Sequence, residues 1–249
     1  MFTLSMTESL DMFAAGLNDI ERNNIPFVTA FALTKTAQDV KEAEIDAMRL
    51  AFDRPTRFTL NALQVTPATK RDLRAAVVFK ISGSKAGGPA ARYLGPEVEG
   101  GGRAHKSHER RLIAQGIMKA NEYAVPTRLA PLDAYGNMKG GTIERILSDV
   151  GSAEQWAGYT ANATAKTRAR KRRSGKGMYF AVRGQGGLPA GIYFRLGLRD
   201  IRPIILFVRA PVYAKRLPFY ETAERVVDAR FPVHFADGWR RFGQQRRPT

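Results

Sequence analysis

The chain has 249 residues, of which 44% are hydrophobic, so it is long and apolar enough to bury the core of one large domain without covalent staples. It contains no cysteine, which excludes disulfides, thiolate metal sites and cysteine nucleophiles. The formal net charge is +17, and residues 161–249 hold 20 Lys and Arg against five Asp and Glu. Such a concentrated basic excess favours contact with a phosphate backbone or an acidic protein surface.

Neither a membrane span nor a secretory signal is indicated. The longest apolar run, residues 204–208, is far shorter than the ~20 residues that a spanning helix needs. The start of the chain contains Glu8 and Asp11 and lacks a basic region, unlike a signal peptide. We therefore expect no membrane contact, and action where the protein is made or in a particle assembled there.

The first third of the chain predicts two helices and a hairpin. Apolar residues at helical spacing indicate a helix over residues 6–22, which Asn23 and Asn24 should end. A longer helix is expected to begin at Pro26 and to end before residues 53–55. Its predicted buried stripe is Leu33, Ala37, Val40, Ala43, Ala47 and Leu50, with the charged residues, Glu44 among them, largely off it. Strands are predicted over residues 58–66 and 73–81.

The rest of the chain predicts a mixture of helices and strands. Residues 83–103 are glycine-rich and predict a loop. Residues 160–177 form a basic segment without an apolar stripe. Further helices are expected over residues 105–119, 142–150 and 218–242, and Pro232 is a potential kink site in the last of them. Strands are expected over residues 177–183, 191–196 and 203–208. We expect residues 1–249 to form a single α+β domain, an antiparallel sheet with packed helices and long loop insertions.

The strongest local signal is a run of basic side chains. Seven of them occur within eleven positions, without an acid: Lys166, Arg168, Arg170, Lys171, Arg172, Arg173 and Lys176. They can neutralise several phosphates or face an acidic partner, and the alternative is a solvated loop. No aromatic residue interrupts the run, so base stacking is not implied, and any nucleic-acid contact would be to the backbone.

No catalytic or metal-binding arrangement is evident. His105 and His108 are three residues apart without the intervening Glu of a zinc protease helix, so a surface pair is the better interpretation. The glycine-rich stretch 184–191 contains Pro189 and precedes a strand, unlike a phosphate-binding loop. A nuclease needs clustered acids, and the candidates are Asp133, Glu144 and Asp149. We expect no enzyme, cofactor or metal.

Several sequence blocks resemble a family of phage and prophage structural proteins related to minor tail protein Z, the tail-completion group. They are residues 25–37 (IPFVTAFALTKTA), 52–63 (FDRPTRFTLNAL), 67–71 (PATKR), 93–101 (YLGPEVEGG), 130–137 (APLDAYGN), 191–193 (GIY) and 202–208 (RPIILFV), with Phe231-Pro232 downstream. The resemblance implies a tail-completion-like α+β fold, copies arranged as a ring, and a place at the neck or tail of a virion assembled in the host cytoplasm. It supplies no catalytic residue.

The sequence therefore predicts a bacteriophage virion structural protein of the head–tail connection or tail-completion type. Its expected partners are further copies of the chain, arranged as a homo-oligomeric ring, and portal, connector or tail-tube proteins. Non-specific contact with genomic DNA is a further option that the sequence leaves open. The alternative is a phage nucleic-acid-binding protein that contacts the DNA backbone through residues 166–176. A nuclease is the third hypothesis.

Overall fold

The computed structural model describes residues 2–5, 19–81, 90–153, 155–156, 159–160, 162–174, 177–184, 187–196 and 200–243. Helices and antiparallel sheets both contribute, which confirms the predicted α+β class. The residues group into two compact units, unit 1 (Met1–Gly100 and Ala214–Thr249) and unit 2 (Gly101–Tyr213). No helix in the described part of the chain is long and apolar enough to cross a bilayer.

Each unit has its own hydrophobic core, whereas the sequence predicts one domain. One core contains Leu33, Leu63 and Phe219, all from unit 1, and the other contains Leu112, Ile146 and Ile192, all from unit 2. The first boundary, at Gly100, lies within the glycine-rich stretch 83–103, and the second, at Ala214, returns the chain to unit 1.

Unit 1 is built around one long helix. The helices are α1 (Asp19–Ala51), α2 (Arg57–Leu60), α3 (Ala91–Glu99) and α7 (Phe219–Gly238), which continues as a π-helical turn, Trp239–Gly243. Strands β1 (Phe2–Ser5), β2 (Leu63–Thr66) and β3 (Arg74–Phe79) form an antiparallel sheet in the order β1-β3-β2. Helix α1 packs against both α7 and this sheet.

Helix α1 starts earlier than predicted, whereas its end at Ala51, before residues 53–55, is confirmed. It begins at Asp19 and contains Pro26, and the predicted break fails because Asn24 is buried, where its Nδ2 donates to the Gly243 carbonyl at 3.1 Å. Leu50, predicted on the buried stripe, is 89% exposed, whereas Glu44 is fully buried. Residues 6–18 of the predicted first helix lie outside the described residues.

Two other segments of unit 1 also differ from expectation. The hairpin is confirmed as the antiparallel pair β2–β3, but residues 57–60 form a helical turn in which the Thr56 hydroxyl accepts the Thr59 N–H. The predicted glycine-rich loop is wrong for residues 91–99. They form α3 because Leu94 and Val98, one turn apart, bury the same face.

Unit 2 combines a four-stranded antiparallel sheet with helices. Its strands β4 (Glu122–Pro126), β7 (Met178–Val182), β8 (Gly191–Leu196) and β9 (Asp200–Arg209) run in the order β4-β9-β8-β7. A separate two-stranded pair joins β5 (Gln155–Trp156) and β6 (Tyr159–Thr160). Helices α4 (Ser107–Ala114), α5 (Gly140–Val150) and α6 (Ala165–Arg173) complete the unit.

The predicted elements of unit 2 are confirmed in type more often than in extent. Helix α5 and strands β7, β8 and β9 match the expectation to within a few residues. The helix predicted over 105–119 ends at Ala114, and residues 122–126, for which the sequence predicts no strand, form β4, which pairs with β9. Residues 165–173 of the basic segment are helical.

Candidate functional site

The basic segment forms a helix whose start is fixed to the end of α5. The Thr164 hydroxyl accepts the Thr167 N–H at 3.1 Å, which is the N-cap bond that satisfies one of the unpaired amides of a helix start. Just before it, Ala163 N–H donates to the Ser148 carbonyl at 3.0 Å, and the Asn162 side chain accepts from Ala153 N–H at 2.8 Å. These contacts hold a helix that has no apolar stripe of its own.

One face of α6 is occupied by structural contacts. Lys171 Nζ donates to Oδ1 of the buried Asp149 at 2.5 Å, and Asp149 Oδ2 also accepts the Tyr179 N–H on edge strand β7 at 3.2 Å. Arg168 is half-buried beside the C-terminal end of α5, where a side chain on Gly151 would begin 4.0 Å from its Nη2. A guanidinium there complements the negative end of the helix dipole. Of the seven predicted contact residues, Lys171 therefore anchors α6 and Arg168 is partly buried beside α5.

The opposite face of α6 presents a row of cations, which we call the cationic stripe: Lys166, Arg170 and Arg173. Their spacing of four and three residues places them on one side of the helix over about 10 Å. All three are exposed, and none makes an ion pair or side-chain hydrogen bond with a described residue. The side chain of Arg172 and the whole of Lys176 lie outside the described part of the chain.

The electrostatic setting of the stripe is one-sided. Residues 155–199 contain ten Lys and Arg and no Asp or Glu. Because no neighbouring acid in the sequence compensates the stripe, its field favours an anionic surface such as phosphates or carboxylates. The arrangement supports binding to such a surface.

The buried ion pair of unit 2 between Arg103 and Glu109 is not predicted from the sequence. Both oxygens of Glu109 accept from the Arg103 guanidinium, at 2.6 and 2.7 Å, and they also accept the N–H groups of Lys106 and Ala124. Burial alone would raise the pKa of Glu109, but these four bonds hold it at about 2. Glu109 is the third residue of α4, the position at which an acid reaches back to a helix start, and this spacing was the available signal.

Both edge strands of the four-stranded sheet are therefore held by buried carboxylates. Glu109 of α4 bonds to Ala124 of β4, and Asp149 of α5 bonds to Tyr179 of β7. Each carboxylate has its own cation, Arg103 or Lys171. An edge whose amides are occupied is less open to pairing with another strand.

The remaining candidate residues do not assemble into a metal or catalytic site. His105 Nε2 lies 3.0 Å from the Glu122 carbonyl and its ring stacks on Tyr123, while burial lowers the pKa of His108 to about 4. Both histidines are half-buried, so they are not the surface pair that the sequence predicts.

The three acids considered for a nuclease have separate tasks. Asp133 accepts two backbone N–H groups of its own turn, Glu144 pairs with Arg111 at 3.2 Å, and Asp149 pairs with Lys171. Within the described residues no group of three or more potential metal ligands occurs.

Comparison of the chain with protein-family models, with curated proteins and with solved structures finds no match.

Proposed function

We propose that this protein is a bacteriophage structural protein of the head–tail connection or tail-completion type, which acts as a homo-oligomeric ring in the virion. The observation that carries the proposal is the cationic stripe, an exposed row of three cations on an anchored helix that form no ion pair with the residues the structure describes. The sequence blocks that resemble tail-completion proteins supply the biological setting. The function is mechanical, joining parts of the particle through contact with an anionic surface.

The anchoring of α6 suits the helix for this task. The contacts of Thr164 and Lys171 hold the helix, so the backbone that carries the exposed cations loses little further freedom when a partner binds. Attraction between the stripe and an anionic surface acts mainly through charge, and it weakens as salt screens the charges. The expected contact is therefore strongest at low salt.

The test is to image phage particles made with and without this protein. The proposal expects heads and tails that fail to join, or joined particles that leak DNA, when the protein is missing, and a ring of its density at the neck or tail when it is present. Complete and infectious particles that form without the protein contradict the proposal.

A second candidate function is DNA binding by the free protein, which the acid-free stretch 155–199 favours. In that case the chain alone binds duplex DNA, and affinity falls steeply with salt because each phosphate contact releases counterions. Fluorescence anisotropy of a labelled duplex measures this directly. A Lys166, Arg170 and Arg173 to Gln triple variant is expected to lose the binding, while Arg209→Gln, a change at an exposed cation elsewhere in unit 2, retains it.

A further inference from the structure

The cationic stripe has a counterpart of opposite sign in unit 1. On α7, Glu221, Glu224 and Asp228 follow one another at spacings of three and four residues, and all three are exposed. We call them the acidic stripe. None makes an ion pair with a residue in the described part of the chain, although α7 carries Arg225 beside them, also exposed.

The two stripes match in length and spacing. Each extends over seven residues of α-helix, about 10 Å. Along α6 the intervals are four and then three residues, and along α7 they are three and then four. When the two helices run antiparallel, these intervals coincide and every cation faces an acid. The pairs are Lys166–Asp228, Arg170–Glu224 and Arg173–Glu221.

A buried carboxyl group of α1 is sensitive to the charge at the start of α7. Glu44 is fully buried between Val40 and Met48, one helical turn away on either side, and neither of its carboxylate oxygens has a hydrogen-bond partner among the described residues. Burial, and next the negative charge of Glu221, raise its pKa to about 8. Cations brought against Glu221 offset that charge, so contact with a basic partner is expected to lower the pKa of Glu44.

We infer that copies of this chain associate head to tail, with the cationic stripe of one copy against the acidic stripe of the next. The inference rests on the proposed function, since it names the partner of that same site within the ring. Because the two stripes lie on different units of one chain, every copy offers one of each. A contact between unlike surfaces repeats from copy to copy and closes a ring where the rotation allows.

Helix polarity and salt screening add two expectations. Antiparallel α6 and α7 oppose their dipoles, which adds a small favourable term to the contact. The charges are exposed, so association is expected to weaken as salt rises from 50 mM to 500 mM. Over that range the Debye screening length falls below the stripe length of about 10 Å.

Sedimentation velocity of the full chain, at several concentrations and at 50 and 500 mM salt, tests the contact. The charge reversals Arg170→Glu and Glu224→Arg are each expected to weaken association at least tenfold, because each replaces an attraction by a repulsion. The double variant R170E/E224R is expected to recover most of it. Arg209→Glu and Glu42→Lys, reversals at exposed charges outside the stripes, are the matched controls, and circular dichroism confirms that every variant is folded.

Three outcomes overturn the inference. They are a wild-type chain that stays monomeric at low salt, single reversals that associate as the controls do, and a double variant that does not recover. A duplex DNA probe separates the other class of partner: if R170E loses DNA binding while association is unchanged, the stripe is a DNA contact and the inference fails.

The two proposals can fail separately. If the stripes pair copies in solution but infectious particles form without the protein, the phage assignment fails and the contact stands. If particles require the protein but assemble normally with R170E, the contact fails and the assignment stands.

Discussion

The two units handle buried negative charge in opposite ways. In unit 2, Glu109 and Asp149 each have a cation and at least one backbone donor, whereas in unit 1 the carboxylate of Glu44 has no hydrogen-bond partner among the described residues. Both units nevertheless carry a net positive charge, since unit 2 holds 20 basic and seven acidic residues and unit 1 holds 20 basic and 16 acidic. Complementarity between copies is therefore confined to the two stripes, whose side chains make no ion pair with a described residue.

The largest expected effect is at Glu109. Replacing it by Gln leaves the Arg103 guanidinium buried and unpaired, and we expect a loss of about 3–5 kcal/mol from the unfolding free energy of unit 2. The loss is measured from the rates of amide hydrogen exchange in α4 and β4 at increasing urea concentration. Glu144→Gln, at an exposed ion pair in the same unit, is the control and is expected to cost less than about 1 kcal/mol. Equal costs for the two variants contradict the account.

The same variant changes the response to acid. The pKa of Glu109 is about 2 in the folded chain, below its ordinary value of 4.5, so its contribution to stability is complete above pH 4.5 and is lost as the pH falls toward 2. Glu109→Gln is therefore expected to remove part of the acid dependence of unfolding between pH 4.5 and 2.

Glu44 is expected to behave with the opposite sign. Burial, together with Glu221, raises its pKa to about 8 in the folded chain, so the folded state holds the proton more tightly and stability falls as the pH rises from 4.5 to 8. Glu44→Gln removes this slope of at most about 1.4 kcal/mol per pH unit. The unfolding free energy of the variant, relative to that of the wild type, therefore rises with pH across that range. Thermal unfolding at pH 5, 6.5 and 8 measures the difference. Glu42→Gln, at an exposed neighbour, is the control and is expected to leave the pH dependence of thermal unfolding unchanged. The same pH dependence for Glu44→Gln and the wild type contradicts the account.

Asp149→Asn is expected to loosen the anchored face of α6. It removes the ion pair with Lys171 and weakens the bond to Tyr179 N–H, at a cost of about 1–3 kcal/mol. Hydrogen exchange is expected to accelerate across α6 and the start of β7 more than in β4. Asp200→Asn, at an exposed pair with Arg202, is the control. Unchanged protection of α6 contradicts its anchoring by Asp149.

The smallest effect on stability is expected from the cationic stripe itself. Lys166, Arg170 and Arg173 make no structural contact with described residues, so replacing all three by Gln is expected to change the unfolding free energy by less than about 0.5 kcal/mol. A larger loss, measured by thermal unfolding, shows that the face is structural and not a binding surface.

Patterns of apolar spacing predict much of the fold. The hairpin β2–β3, helix α5 and strands β7 to β9 each have a clear period or turn signal, and α7 and α1 are predicted apart from the start of α1. Helix α3 is missed because Gly95 and Pro96 are typical of a loop, while the burial of Leu94 and Val98 decides the outcome. Helix α6 is missed because it lacks an apolar stripe and is held by polar contacts from residues distant in sequence.

The candidate site is predictable only in part. The run of cations is plain in the sequence, but its division into anchors and a stripe depends on Asp149, which lies 22 residues from Lys171. The burial of Glu44 is hidden because its neighbours in the sequence are charged and its environment comes from packing. The division into two units is partly hidden, since Gly100 lies within the glycine-rich stretch 83–103 but no composition change marks Ala214.

Mixing two association-deficient variants is the most direct test of pairing between the stripes. Arg170→Glu retains a native acidic stripe, and Glu224→Arg retains a native cationic stripe, so these two stripes pair as in the wild type. At the next contact of the mixture the two reversed charges meet, and they attract each other as well. The account predicts that neither variant associates alone at 50 mM salt and that an equimolar mixture sediments as alternating assemblies. A mixture that sediments as the sum of its two components contradicts it.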